Sequence, residues 1–245
     1  MSDSLRYARH LALPQFGTGG QERLRRSSAL VVGLGGLGSV ASLYLANSGI
    51  GHLLVNDFDR VDASNLPRQL LFRAGDVGSF KTEATAARLR EANPSVRMTT
   101  LNDQLDLAAL KAAAQDCDLV LDCTDNFRAR LLINEACVAM RKPLVSGAAI
   151  RFEGQVAVFP EPAAGPCYRC LYSDEDENFQ SCAGQGILAP VAGTIGAMQA
   201  TEALKLLLGL NSGLRDRLWI YDGLSGATRS VAIRRRPGCP VCRSA

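Results

Sequence analysis

The feature that most restricts this chain is a glycine run, Gly33-Leu34-Gly35-Gly36-Leu37-Gly38, set between an apolar stretch and a helical pattern. Ser28-Ala29-Leu30-Val31-Val32 reads as a buried strand and Val40 to Ser48 as a helix. In that setting G-x-G-x-x-G permits a tight turn and a close backbone approach to phosphate, and the helix N-terminus that follows favours an anion. The other reading is a glycine turn needed only for helix–sheet packing. His52 to Asp57 reads as the second strand, so Asp57 and Asp59 are both candidates for the acidic residue that bonds ribose hydroxyls.

The same alternation continues. Lys81 to Glu91 reads as a helix ended by Asn93-Pro94, Cys117 to Asp122 as a third buried strand, Asn126 to Met140 as a helix, and Leu144-Val145-Ser146 as a strand. Continuous apolar strands separated by helices predict a doubly wound, Rossmann-like parallel sheet, an α/β fold. After Gly147 the strands alternate instead: Gln155–Phe159, Leu218–Tyr221 and Arg229–Ile233 read as C-terminal antiparallel strands extending that sheet. Pro190 to Leu208 reads as a long apolar helix, in which Gly193 and Gly196 indicate close packing. The 245 residues are read as a single domain, 1–245, with an N-terminal helical arm (1–27), a nucleotide-binding half (28–150) and a second half (151–245).

A formal charge of +3, with Arg234-Arg235-Arg236 as the densest basic run, argues against nucleic acid as a partner. Met1-Ser2-Asp3-Ser4 lacks the basic and apolar regions of a signal peptide, and no apolar stretch reaches the ~18 residues of a membrane span. A cytoplasmic protein without a membrane partner is therefore expected. Eight cysteines in such a chain are metal ligands, core residues or reactive thiols rather than disulfides.

The glycine run alone would point to NAD. Asn65, Arg68 and Lys81, which follow the second strand closely, point instead to a nucleotide triphosphate, because cations there suit phosphoryl or nucleotidyl chemistry; Arg68 and Lys81 could equally be solvated surface charges. Asp125, after the Cys117–Asp122 strand, could hold Mg²⁺ beside substrate phosphates or cap the next helix. Cys167-Tyr168-Arg169-Cys170 and Cys239-Pro240-Val241-Cys242 are two C-x-x-C knuckles, the pattern of a closed tetrahedral zinc site, with independent redox pairs as the alternative. Cys117, Cys123 and Cys137 read as core residues. Cys182 follows the acidic Asp174–Asn178 stretch, read as an exposed loop, and is either a nucleophile or an ordinary loop cysteine.

Taken together, the Gly33–Gly38 run, Asp122-Cys-Thr-Asp-Asn126, Leu144-Val-Ser-Gly-Ala-Ala149, Pro166-Cys-Tyr-Arg-Cys170 and Pro237-Gly-Cys-Pro-Val-Cys242 resemble the MoeB/ThiF family, relatives of the ubiquitin-activating enzymes, from Arg6-Tyr7-Ala8-Arg9 to Cys242. The resemblance implies a homodimer that uses ATP to adenylate the C-terminal glycine of a ubiquitin-like sulfur-carrier protein, MoaD- or ThiS-like. Gly36 would lie against the nucleotide, Asp57 would bind its ribose, and Ser64, Asn65, Arg68 and Lys81 would surround its phosphates. Asp125 would hold Mg²⁺, with Asn126 beside the nucleotide. Arg9 would reach across the dimer as an arginine finger. Cys167, Cys170, Cys239 and Cys242 would hold Zn²⁺ in the carrier-binding half. Arg9, Arg68, Lys81, Asp125 and Cys182 are thus the expected catalytic set.

The family commonly has Gln where this chain has Pro67, and Ala183-Gly184-Gln185-Gly186 departs from its usual acidic-Ala-Gly pattern after the cysteine. The chain ends at Ala245 without the rhodanese domain of some longer relatives, so a separate sulfurtransferase or cysteine desulfurase is expected as donor. The alternatives are an NAD-dependent oxidoreductase and a family member that activates a small non-protein carboxylate.

Overall fold

A computed structural model describes residues 3–172 and 186–244. The N-terminal arm is three helices, α1 (Asp3–Arg6), α2 (Ala8–Leu11) and α3 (Gly17–Arg26). Then follow β1 (Ser28–Val32), α4 (Gly38–Ser48), β2 (His52–Asn56), α5 (Lys81–Ala92), β3 (Arg97–Leu101), α6 (Leu107–Gln115), β4 (Leu119–Asp122), α7 (Phe127–Met140), β5 (Leu144–Ile150) and β6 (Glu153–Phe159). The short α8 (Tyr168–Leu171), the long α9 (Ala189–Leu208), β7 (Arg217–Asp222) and β8 (Thr228–Ala232) complete the chain.

The strands form one eight-stranded sheet in the order β3-β2-β1-β4-β5-β6-β7-β8. β1 to β5 pair in parallel, and β6, β7 and β8 add on antiparallel. This is the doubly wound sheet with an antiparallel extension that the apolar patterning predicts. Alternate residues of each central strand feed opposite layers. Val31, Leu53, Val55, Leu121 and Val145 pack with Leu45 of α4, Leu89 of α5 and Ile195 of α9. Leu30, Val32, Leu54, Val120 and Leu144 pack with Leu110 of α6, Ile133 of α7, Phe159 and Tyr168. Covering both faces is what makes β1, β2 and β4 read as unbroken apolar runs.

The four-residue α8 went unread in the sequence, as did two longer elements. β3 is a partly exposed edge strand whose residues, Arg-Met-Thr-Thr-Leu, carry no apolar run. α6 is Ala-rich and is started by Asp106, whose side chain accepts from Ala109 N–H at 2.8 Å. In α9 the two glycines differ. A Cβ on Gly196 would lie 2.4 Å from the Leu37 carbonyl oxygen, so α9 and α4 meet backbone to backbone there; a Cβ on Gly193 would meet nothing within 4 Å. Gly193 therefore does not mark close packing. No helix among the described residues is long and apolar enough to cross a membrane.

Candidate nucleotide and metal sites

The glycine run turns from β1 into α4 at the carboxyl end of the sheet. Gly33 takes φ +87°, and a Cβ there would press on the Cys123 carbonyl oxygen at 2.9 Å, so the turn touches the loop leaving β4. A Cβ on Gly36 would come within 2.9 Å of the Ala192 Cβ and 3.4 Å of the Arg68 carbonyl oxygen. Gly36 thus lies between the start of α9 and the segment carrying Arg68. Asp57, directly after β2, is nearly buried and braces the run: its Oδ2 accepts from Leu34 N–H at 2.7 Å and its Oδ1 from Asp59 N–H at 2.9 Å.

Burial pushes the Asp57 carboxyl above its ordinary range, while the Lys81 charge and those two N–H donors pull the other way. Lys81 opens α5 and is buried too; its Nζ lies 2.8 Å from Asp59 Oδ2 and 3.8 Å from Asp57 Oδ2. The solvated-charge reading of Lys81 therefore fails. Arg68 is only partly exposed, and its Nη1 donates to the Ser64 carbonyl oxygen at 2.9 Å. The turn it spans is built by Asp62, which accepts from both Ser64 N–H and Ser64 Oγ, while Asn65 Oδ1 accepts from Asp62 N–H. Pro67 fits this turn, since Arg68 N–H still closes on the Asn65 carbonyl oxygen at 3.1 Å.

After the neighbouring strand β4 the Asp125–Asn126 pair divides its work. Asn126 caps α7, its Oδ1 accepting from Ala129 N–H at 3.0 Å. The capping role is therefore Asn126's, and Asp125 stands exposed on the loop between β4 and α7. Gly36, Asp57, Ser64, Asn65, Arg68, Lys81, Asp125 and Asn126 thus gather at one end of the sheet, where β1 has β2 on one side and β4 on the other. Ligands bind such sheets at the carboxyl ends of their parallel strands.

Arg9 stands apart. It is exposed on α2, and the arm packs at the opposite end of the sheet. Neighbouring Tyr7 receives a hydrogen bond from Asn93 Nδ2 at 2.8 Å, just past α5, and a Cβ on Gly49, just past α4, would lie 2.7 Å from the Tyr7 ring. The eleven residues of α4 separate Gly49 from the glycine run, about 16 Å at the usual rise per residue. Arg9 and the other candidate residues are not brought together within one chain.

The four knuckle cysteines, 72 residues apart pairwise, do converge. Their Sγ atoms all lie within 4.8 Å of one another, with Cys167–Cys239 at 3.8 Å and Cys170–Cys242 at 3.5 Å. Thiolates about 2.3 Å from a tetrahedral zinc lie roughly 3.8 Å apart, so the set fits Zn²⁺, and convergence removes the reading of two independent pairs. Burial drives the Cys167 thiol up, but at Cys239 the Val241 and Cys242 N–H donors and the Cys242 and Cys167 thiols outweigh burial and bring it down to about 7. Cys117, Cys123 and Cys137 are buried, as read. Cys182 and the acidic 174–178 stretch lie outside the described residues.

Residues 7–241 match the ThiF family. The chain belongs to that family. It is 44% identical over 240 residues to the sulfur carrier protein ThiS adenylyltransferase of Escherichia coli (strain K12), covering 98% of this chain and 95% of that one. It is 45% identical over 240 residues to the molybdopterin-synthase adenylyltransferase of the same strain, covering 98% and 96%. Against the adenylyltransferase and sulfurtransferase MOCS3 of Drosophila virilis it is 45% identical over 243 residues, but it spans only 54% of that protein's length. Among solved structures, E. coli MccB with ATP superposes with TM-score 0.85 at 24% identity, covering 97% of this chain and 73% of the other, which establishes the shared fold.

Within this ThiF-family fold, sequence reasoning passed over several polar residues around the site. Asp122, Ser146 and Gln199 are buried together: Ser146 Oγ donates to Asp122 Oδ2 at 2.7 Å, and Gln199 Nε2 donates to the Asp122 carbonyl oxygen at 2.7 Å. Gln69 is buried beside Gly35, and its Oε1 has no hydrogen-bond partner among the described residues. The available signal was polar residues on faces that otherwise read as apolar, Gln199 within α9 and Arg130 and Asn134 within α7.

Proposed function

We propose that the protein uses ATP to adenylate the C-terminal glycine of a ubiquitin-like sulfur-carrier protein, MoaD- or ThiS-like. The observation that carries this is the 44–45% identity over nearly the full length of both chains to two adenylyltransferases named for those pathways. The residue set at the sheet end supports it.

The carrier's terminal carboxylate, ionised at neutral pH, attacks the α-phosphorus of ATP in line; pyrophosphate leaves and the acyl-adenylate remains. No general base is needed, so the chain's part is positioning and charge neutralisation. Asp57 holds the ribose. Asn65 and Arg68, with Lys81 held between Asp57 and Asp59, face the phosphates, and Ser64 shapes their turn. The Gly36 backbone admits the nucleotide, with Asn126 alongside. Asp125 is the residue that would hold Mg²⁺, which would neutralise charge developing on the phosphates. Arg9, at the far end of its own sheet, serves the site of a second copy, which makes a homodimer the working unit. Cys167, Cys170, Cys239 and Cys242 would hold a structural Zn²⁺, leaving no open position for chemistry.

The adenylate is then the electrophile for a sulfur nucleophile supplied by a sulfurtransferase or cysteine desulfurase, with Cys182 as the thiol in this chain that could link to the carrier. The setting is cytoplasmic. The test is to incubate the protein with ATP, Mg²⁺ and a carrier ending in Gly-Gly, and to read the carrier's intact mass. The adenylate adduct is expected on the full-length carrier. No adduct with any such carrier, together with turnover on a small carboxylate, would move the assignment to that substrate class.

A further inference from the structure

Helix α7 carries two buried polar side chains one turn apart, Arg130 and Asn134, and they face different sites. Arg130 reaches back over the first turn, its Nη2 donating to the Thr124 carbonyl oxygen at 2.6 Å. Asp122 holds the rest of that residue, its Oδ1 accepting from Thr124 N–H at 3.1 Å and from Thr124 Oγ at 2.7 Å. The residue before Asp125 is therefore fixed at its N–H, its carbonyl and its hydroxyl. The residue after it, Asn126, is fixed by capping α7.

At the next turn Asn134 faces the cysteines. Its Nδ2 donates to Cys167 Sγ at 3.7 Å, and its Oδ1 accepts from Tyr168 N–H at 2.8 Å. Tyr168, adjacent to Cys167, packs its ring against Phe127, the first residue of α7, and against Phe159. One helix thus joins the two ends: Asn134 bonds the cysteine segment and, one turn earlier, Arg130 bonds the backbone beside Asp125.

We propose that α7 is a strut by which the four-cysteine centre sets the position of Asp125, with Arg130 and Asn134 as positioning residues at its two ends. This rests on reading Asp125 as the carboxylate that holds Mg²⁺. An exposed carboxylate on an unsupported loop would have to be ordered as the metal–nucleotide complex binds; here that ordering is done in advance by the hydrogen bonds that hold Thr124 and Asn126 on either side. Groups that orient a metal ligand typically change metal affinity roughly ten- to hundred-fold when lost.

The test uses the full-length zinc-loaded protein and two readouts. One is amide hydrogen exchange across residues 124–127; the other is the Mg²⁺ concentration giving half-maximal ATP binding by calorimetry. Arg130→Lys keeps the charge but loses the guanidinium geometry at Thr124. It is expected to speed exchange across the loop and raise the Mg²⁺ requirement roughly ten- to hundred-fold, with Mg²⁺-free ATP binding and zinc content unchanged. Asn134→Ala, which touches only the cysteine end, is expected to move both readouts in the same direction to a smaller extent. Wild-type exchange and Mg²⁺ dependence in a folded Arg130→Lys protein, or in Asn134→Ala, would overturn the strut. If Arg130→Lys does not fold, Asn134→Ala alone carries the test, and wild-type values there count against the proposal in the same way. Should loop exchange rise as expected while even the wild-type protein binds ATP without regard to Mg²⁺, the strut stands and the role given to Asp125 falls.

Discussion

Lys81 and Asp59 face each other at 2.8 Å between Nζ and Oδ2, joining the first residue of α5 to the loop that leaves β2. Lys81 is buried and Asp59 exposed, so the pair holds an ammonium ion at the site with only one partner shared with solvent. The same ammonium opposes the burial that raises the Asp57 carboxyl. Replacing it with Lys81→Met removes a lowering influence, so the Asp57 carboxyl moves further up. The acid limb of ATP binding should shift to higher pH, and turnover should fall on the order of a hundredfold or more, as for loss of a charge stabilising a transition state. Calorimetry across the acidic range reads the limb; one that stays in place would mean that Lys81 does not govern Asp57.

Gly36 offers a steric test. Its missing side chain keeps the run 2.9 Å clear of the Ala192 Cβ, measured from where a Cβ would sit. Gly36→Ala should weaken ATP binding about tenfold or more, the ~1.4 kcal/mol of a displaced backbone contact. Adding Ala192→Gly should restore part of it. Full ATP affinity in the single variant would show that the nucleotide does not lie against Gly36.

The separation of Arg9 from the sheet end predicts complementation. Arg9→Ala and Asp125→Ala proteins should each be inactive alone, and mixed subunits should recover one competent site per heterodimer. Demonstrated subunit exchange with no recovery of activity would place Arg9 outside the chemistry.

The cysteine cluster should bind one zinc per chain. Cys239→Ser should lose that zinc and lower the melting temperature, because the metal would tie the segment after β8 to α8. Folded, metal-free protein whose stability is unchanged by Cys239→Ser would refute the assignment.

How much of this was legible in the sequence follows from which signals are local. β1, β2 and β4 could be read because both their faces are buried, and the glycine run because strand and helix flank it within a few residues. The edge strand β3, one step further out, shows partial exposure and no apolar run. The cysteines were found as pairs by their spacing, but their convergence across 72 residues is a property of the fold. The choice between Asp125 and Asn126 as the α7 cap could not be made from propensity, since both residue types cap well. Asn134 was missed because its role depends on Cys167, which reaches α7 only in three dimensions, and Arg130 because its partner is a backbone carbonyl, that of Thr124, which residue identity does not reveal.

The central claim is best tested by isotope exchange between pyrophosphate and ATP. Adenylation by a carboxylate is reversible, so label should enter ATP when protein, Mg²⁺ and a Gly-Gly carrier are all present, and should vanish when the carrier's last glycine is deleted. Exchange that proceeds at the same rate without a carrier, or that no Gly-Gly carrier supports, would contradict the account.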